Sequence, residues 1–286
     1  MPELANINGE VMPVEQACLP AEDRGTLFGD GVYEVLRSYE GRLWAVERHF
    51  QRLQRSLTEI AIENLDLARI QDWVVNTYRQ SQIGEATVYL QITRGAGPRS
   101  HAWNHNLTPT VFLTVRHFTS RADAQATGVQ VVSLPDTRWA RCDIKSLNLL
   151  PNVMAKQKAR NAGAYEAIFV DKEGLVREGT SSAVVTVLDG VLCAPPNSHA
   201  ILPSITRQLV WEMAEDLGIP FREESTPLER LYRADEAFLA GTGDEVLGIV
   251  QTDGRMIGNG RPGSLTGRLF AEYRHRIARQ QDQLRV

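Results

Sequence analysis

Apolar residues three or four positions apart mark the helices of this chain. Phe50, Leu53, Leu57 and Ile60 predict a helix over 47–62, and Ile70, Trp73, Val74, Thr77 and Tyr78 a second over 67–81, which Gly84 ends. Strand-like runs at 31–37 and 42–45 are joined by a turn at 39–41. Two more, at 87–93 and 110–116, flank a Gly/Pro/His-rich loop over 95–107. The stretch 121–128 has no apolar period and is the expected linker between an N-terminal domain over 1–120 and a C-terminal domain over 129–286. Beyond it, strands are expected at 129–133, 166–170, 182–188, 191–193, 236–240 and 246–251. They alternate with helices over 152–161, from Ser204 and from Ser264. The helix from Ser204 carries Ile205, Leu209, Val210, Met213 and Leu217 on its apolar face, with Gly218 as its cap. The pattern is that of an α/β (α+β) protein of two domains, without repeats or low-complexity segments.

Composition narrows the function classes. With 286 residues, 43% of them hydrophobic, the chain builds full cores without disulfide or metal staples. Thirty-one Lys and Arg against 35 Asp and Glu leave a net charge of -4, and no basic tract invites nucleic acid. No apolar run is long enough to span a membrane, and Met1 to Asn6 lack the basic and apolar regions of a signal peptide. Cys18, Cys142 and Cys193 are odd in number and far apart. They make neither a disulfide framework nor a zinc site, so a reducing, cytoplasmic setting is expected.

The basic residues are unevenly split, with four lysines and 27 arginines. Arginine serves wherever only positive charge is needed, but an amine that must lose its proton and attack a carbonyl has to be lysine. Lys156, Lys158 and Lys172 read as solvated. Lys145, in Arg141-Cys142-Asp143-Ile144-Lys145-Ser146-Leu147, has apolar flanks on alternate sides that allow a partly buried amine. On local context alone, a surface lysine at a strand end is the plainer reading.

Three further features accompany it. Leu202-Pro203-Ser204-Ile205-Thr206-Arg207 opens a helix whose free N–H groups suit a phosphate, and Ala240-Gly241-Thr242-Gly243-Asp244 follows a strand as a second phosphate-cradling loop. Glu178 stands at the start of a strand, where a carboxylate can keep a ring nitrogen protonated. Arg99-Ser100-His101 sets a guanidinium and an imidazole together toward a carboxylate. His101 and His105 lie four apart, but a loop setting without an intervening Glu argues against metal. Ordinary turn, cap and loop chemistry explains each feature alone. Together they supply what a pyridoxal-phosphate enzyme acting on amino acids needs.

The order of these motifs resembles the fold-type IV (class IV) pyridoxal-phosphate aminotransferases over essentially the whole chain. The shared run begins Asp23-Arg24-Gly25 and Phe28-Gly29-Asp30-Gly31-Val32-Tyr33-Glu34. It continues through His49-Phe50-Gln51-Arg52-Leu53, Ile144-Lys145-Ser146 and Glu178-Gly179 to the Leu202–Arg207 segment. Within that class the chain looks most like the D-amino-acid aminotransferases. The signals are Thr93-Arg94-Gly95, Pro98-Arg99-x-His101 and the run Arg138-Trp139-x-Arg141-Cys142-Asp143-Ile144-Lys145.

The resemblance implies a small N-terminal α/β domain, a larger C-terminal barrel-like α/β domain and pyridoxal 5′-phosphate between them. Lys145 would form the internal aldimine and move the substrate proton. Glu178 would pair with the pyridine nitrogen, and Leu202 would pack on the ring. Arg52, Ile205, Thr206 and Thr242 would hold the phosphate. Tyr33, Arg99 and His101 would bind the substrate α-carboxylate, the last two across the interface of a homodimer. The implied reaction is transamination between D-amino acids such as D-alanine or D-glutamate and 2-oxo acids such as 2-oxoglutarate or pyruvate. The alternatives of the same fold are an L-branched-chain aminotransferase and an aminodeoxychorismate lyase; the Arg99-x-His101 pair separates the first of these. Three positions depart from the family pattern. Ala183 stands for a common Asn, Gly241 for a hydroxyl residue and Ser204 for a common Gly.

Overall fold

Alternate residues of two central strands, Val88, Leu90, Ile92 and Val111, Leu113, Val115, are almost fully buried, which gives their sheet one dry face. The computed structural model describes residues 2–63, 65–104 and 106–283. The chain forms two units, one of Met1–Thr119 with Ile144–Asn148, the other of Ser120–Asp143 with Leu149–Val286.

The first unit contains β1 (Leu4–Ile7), β2 (Glu10–Pro13), α1 (Arg24–Phe28), β3 (Gly31–Tyr39), β4 (Arg42–Leu43), α2 (Val46–Glu59), α3 (Leu67–Ser81), β5 (Ala86–Thr93) and β6 (Thr110–His117). Its six strands form an antiparallel sheet in the order β2-β1-β6-β5-β3-β4. Phe50, Leu53 and Leu57 of α2 and Ile70, Val74 and Tyr78 of α3 close its dry face, and Ile144 joins the same core. The two helices bury the faces that the apolar spacing predicts. The hairpin of β1 and β2 is absent from the pattern-based reading, although it carries a direct signal. Asn8 and Gly9 have φ of 53° and 99°, the paired positive angles of a type I′ turn that an Asn-Gly dipeptide favours.

The second unit contains α4 (Ala122–Thr127), β7 (Val129–Pro135), α5 (Leu150–Asn161), β8 (Glu166–Val170), β9 (Val176–Gly179), β10 (Ala183–Leu188), β11 (Val191–Ala194), α6 (Ile205–Asp216), β12 (Phe221–Glu223), α7 (Leu228–Leu231), β13 (Glu236–Gly241), β14 (Glu245–Thr252), β15 (Arg255–Met256) and α8 (Ser264–Gln283). Its sheet runs β12-β11-β10-β13-β14-β7-β8-β9. Because β9 also pairs with β10, six of the strands close into a barrel. The closing pair is Glu178 with Ala183. Val131, Ile168, Val184, Leu239, Leu247 and Ile249 belong to the core of this unit.

Two placements differ from the sequence reading. The 121–128 stretch, expected as a linker, carries α4, which is held to the turn between β13 and β14 by Gln125 donating to the Asp244 carbonyl at 2.7 Å. The lysine segment, assigned from sequence to the C-terminal domain, groups with the first unit. Tyr33 N–H donates to Lys145 O and Leu147 N–H to Gly31 O, both at 3.0 Å, which adds the segment to the start of β3.

Candidate active site

In the first unit, alternation along 144–146 sends Ile144 into the core and Lys145 the other way. The Lys145 Nζ sits 4.1 Å from the centroid of the Tyr33 ring, which stacks on Tyr89 at 5.7 Å. Gly31 lets β3 and β5 pack closely here: a Cβ would lie 2.6 Å from Ile92 O, a backbone atom with little freedom to move, and 2.9 Å from Leu147 Cδ1, a side-chain end that can turn aside.

Glu34 follows on the helix-facing side of β3, where alternation calls for an apolar residue. It is 1% exposed. Its carboxylate accepts from Arg52 Nε at 2.7 Å and Arg52 Nη2 at 2.8 Å, and from His49 Nδ1 at 2.7 Å. Desolvation opposes its charge, but the Arg52 guanidinium and the His49 bond outweigh it and hold the carboxyl at about 2. Burial pushes His49 below the usual histidine range, so the ring is neutral. A carboxylate only accepts, which puts the proton of that neutral ring on Nδ1. Arg52, expected at a phosphate, is therefore fixed from behind by two residues to which sequence reasoning gave no role.

Arg99 and His101 are exposed. Both lie against Phe28, His101 edge-on with centroids 5.5 Å apart and Arg99 with its guanidinium carbon 5.2 Å from the ring centre. His105 lies outside the described residues.

In the second unit, Glu178 is 7% exposed at the seam of the barrel. It forms an ion pair with Arg138, itself bidentate to Asp136 with bonds of 3.0 and 2.8 Å, and both its oxygens accept from Leu202 N–H at 3.2 and 3.1 Å. Leu202 is thus brought to Glu178 through its backbone. Those carboxylates raise the Arg138 pKa against the cost of burial. Burial, with Glu178, Asp136 and Asp143 nearby, pushes the Cys142 thiol up to about 11, so it is no thiolate nucleophile at neutral pH.

Ser204 caps α6, its hydroxyl accepting from Arg207 N–H at 3.2 Å. The Ile205 and Thr206 N–H groups of that first turn are left without helical acceptors. Thr242 sits in the turn after β13. Asp244 anchors that turn by an ion pair to Arg121 and by accepting from Tyr165 Oη at 2.6 Å. The turn after Glu178 is anchored likewise by Glu166, 0% exposed, which accepts from Thr180 Oγ1 at 2.6 Å and Ser181 Oγ at 3.1 Å. Lys156, expected to be solvated, pairs with that Glu166 at 3.3 Å.

These donors fit the cofactor that the resemblance implies. The Ser182 hydroxyl is buried with no hydrogen-bond partner among the described residues, as a polar group awaiting a ligand would be. At Gly241 a Cβ would lie in ordinary van der Waals contact, 3.5–3.6 Å from Ser181 O, Ser182 Cβ and Asp244 Oδ2, so the position would accept a methyl group. Open N–H groups at a helix start suit a phosphate, and a buried carboxylate clamped by arginine suits a protonated ring nitrogen.

Sequence reasoning singled out Arg52, Lys145 and Glu178 but gave no role to Glu34, His49, Arg138, Glu166 or Asp244. Their signal was charge at positions where strand alternation or a short turn calls for apolar or small residues. Among the described residues no helix is long and apolar enough to cross a membrane, and no group of three His, Cys, Asp or Glu side chains is placed to hold a metal ion.

The chain matches the model of the family described as amino-transferase class IV over residues 31–252. It is 41% identical to the D-alanine aminotransferase of Bacillus licheniformis over 260 residues, covering 91% of this chain and 92% of that protein. It is 40% identical to that of Staphylococcus epidermidis, covering 92% and 94%. Among solved structures, the branched-chain amino acid aminotransferase from Escherichia coli superposes with a TM-score of 0.86 at 25% identity, covering 94% of this chain and 92% of that one.

Proposed function

Because the chain belongs to the amino-transferase class IV family, matched over residues 31–252, we propose that it transaminates D-amino acids, with 2-oxo acids as acceptors and pyridoxal 5′-phosphate as cofactor. The observation that carries the substrate class is a contrast in likeness. Identity is 37–41% to D-alanine aminotransferases but 25–28% to branched-chain aminotransferases of the same fold. Donors of the D-alanine and D-glutamate type, with 2-oxoglutarate or pyruvate as acceptors, follow from that reading.

When bound, pyridoxal phosphate condenses with amines and draws electron density from the substrate Cα. Lys145 Nζ would hold the aldehyde carbon of the cofactor and, as a free amine, would move the proton at the substrate Cα. Its place 4.1 Å from the centre of the Tyr33 ring supports a shared site for these two residues. Glu178 would hold the ring nitrogen protonated, and its ion pair with Arg138 fixes where the carboxylate points. Ile205 and Thr206 bind the phosphate at the start of α6, with Arg52 and Thr242, and Leu202 covers the ring. Arg99 and His101 hold the α-carboxylate, and the side on which they do so selects the enantiomer. Their exposure supports a homodimer in which they serve the partner subunit's site. The three free cysteines support a reducing, cytoplasmic setting.

The visible spectrum of the purified holoenzyme tests this reading. A band that bleaches with D-alanine and not with L-isoleucine is the expected result. Bleaching by L-isoleucine alone would move the protein to the branched-chain group, to which the Escherichia coli neighbour belongs. A band that neither amino acid changes would favour a lyase.

A further inference from the structure

Arg99 and His101 stand on a segment rich in Gly, Pro and Ser, between β5 and β6, and both are exposed. Two exposed side chains there can bind a carboxylate in one orientation only if their backbone is fixed from elsewhere. The fixing group is Arg24 of α1, 4% exposed. Its Nη1 donates to Ser100 O at 2.6 Å and its Nη2 to His101 O at 3.1 Å. Its Nε bonds Asp30 Oδ2 at 2.8 Å. Every nitrogen of the guanidinium is therefore engaged, and two of the three hold the peptide units on either side of His101.

Asp30 extends the device. It also takes Arg94 Nε at 2.8 Å and Arg94 Nη2 at 2.9 Å, and Arg94 in turn donates to Ile60 O and Ala61 O at 2.7 and 2.9 Å. The loop base is thereby tied to the end of α2, with the Trp103 ring 3.9 Å from the Arg94 guanidinium carbon. On the same side Phe28 contacts Arg24, Arg99 and His101 together. The charged groups of this cluster, Arg24, Arg94 and Asp30, stand apart from the apolar core. The apolar core of this unit runs through β3, α2 and α3 and includes none of them.

We propose that Arg24 is a positioning residue that sets substrate affinity, holding the Ser100 and His101 carbonyls so that Arg99 and His101 meet the α-carboxylate from a fixed direction. This rests on the reading of Arg99 and His101 as the carboxylate-binding pair. The guanidinium fork is required because two carbonyls and one carboxylate must be met in one plane, which a lysine ammonium cannot do.

The test compares holoenzymes of wild type, Arg24→Lys, Phe28→Leu and the double variant Arg99→Ala/His101→Ala. Steady-state kinetics use D-alanine and 2-oxoglutarate, and rapid bleaching uses D-alanine against D-alaninamide, which lacks the carboxylate. Displacing binding groups by about an ångström costs on the order of 10²-fold, so Arg24→Lys should raise KM for both carboxylate substrates about 10- to 100-fold. Its kcat should change far less, cofactor affinity should stay within about twofold, and the rate with D-alaninamide should hold. Phe28→Leu, a milder change at a half-buried ring, should raise KM about three- to tenfold by the same argument. If the double variant raises KM and neither Arg24→Lys nor Phe28→Leu does, the positioning role is wrong while the carboxylate reading stands. If the double variant leaves KM unchanged, that reading itself fails. Equal losses toward D-alanine and D-alaninamide, or a loss of cofactor, would reduce Arg24 to a structural residue and overturn the proposal.

Discussion

Replacing Glu34 with Gln removes the one carboxylate that both His49 and Arg52 address. The side chain is 1% exposed, and its three bonds of 2.7 to 2.8 Å leave no room for a water to take over. A carboxyl held at about 2 in place of its ordinary 4.5 contributes about 3 kcal/mol to the native state near neutral pH. Breaking a buried ion pair from one side costs ~3–5 kcal/mol, since the remaining guanidinium loses its counter-charge. The expected loss for Glu34→Gln is therefore about 3 kcal/mol at about pH 7.5. The pH dependence has a definite sign. The Glu34 contribution is complete above its unfolded value near 4.5 and fades as pH falls toward 2, so the gap between wild type and variant narrows on acidification below 4.5. His49, lowered by burial from 6.5, makes the unfolded state bind more protons as pH drops through 6.5, so both proteins lose stability there. Urea denaturation of apoenzyme and holoenzyme at about pH 7.5, 5.5 and 4 separates these contributions. A loss below about 1 kcal/mol near neutrality, or a gap that widens in acid, would refute the account of this cluster.

Three further outcomes are expected. Lys145→Ala should abolish the visible holoenzyme band and nearly all turnover with D-alanine; a comparable rate would show that another amine does the chemistry. Arg138→Met leaves the buried Glu178 and Asp136 without their shared guanidinium, so a loss of ~3–5 kcal/mol in urea denaturation and weaker cofactor binding in equilibrium titration should follow. Gly31→Ala places a Cβ 2.6 Å from Ile92 O and 2.9 Å from Leu147 Cδ1. Overpacking of this kind costs ~1–3 kcal/mol, to be read in urea denaturation; an unchanged stability would show that β3 and β5 separate freely enough to admit a methyl group.

Much of the fold was legible because its signals are periodic. The helix expected over 67–81 is α3, and the strands expected at 87–93 and 110–116 lie within β5 and β6. Shorter elements escaped. Val176–Gly179 has four residues, too few for alternation to declare itself, yet β9 closes the barrel. The 121–128 stretch lacked an apolar stripe because α4 is held by Gln125 and the neighbouring Arg121, which use polar contacts to Asp244. The motif residues Lys145 and Glu178 could be named from their order along the chain. Arg24 and Arg138 could not be given their tasks, because the carbonyls and carboxylates they grip lie as much as 77 residues away, and linear spacing says nothing about such pairs.

The return of Ile144–Asn148 to the first unit has a consequence for biogenesis. As the chain leaves the ribosome, its first 119 residues emerge without Ile144, which their core includes, and without the partner for the open start of β3. Domains usually fold in order of synthesis. Here the first must wait until the opening strand and helix of the second have been made. An excised fragment ending at Thr119 would keep that gap for good, and the segment that fills it is the one that carries Lys145.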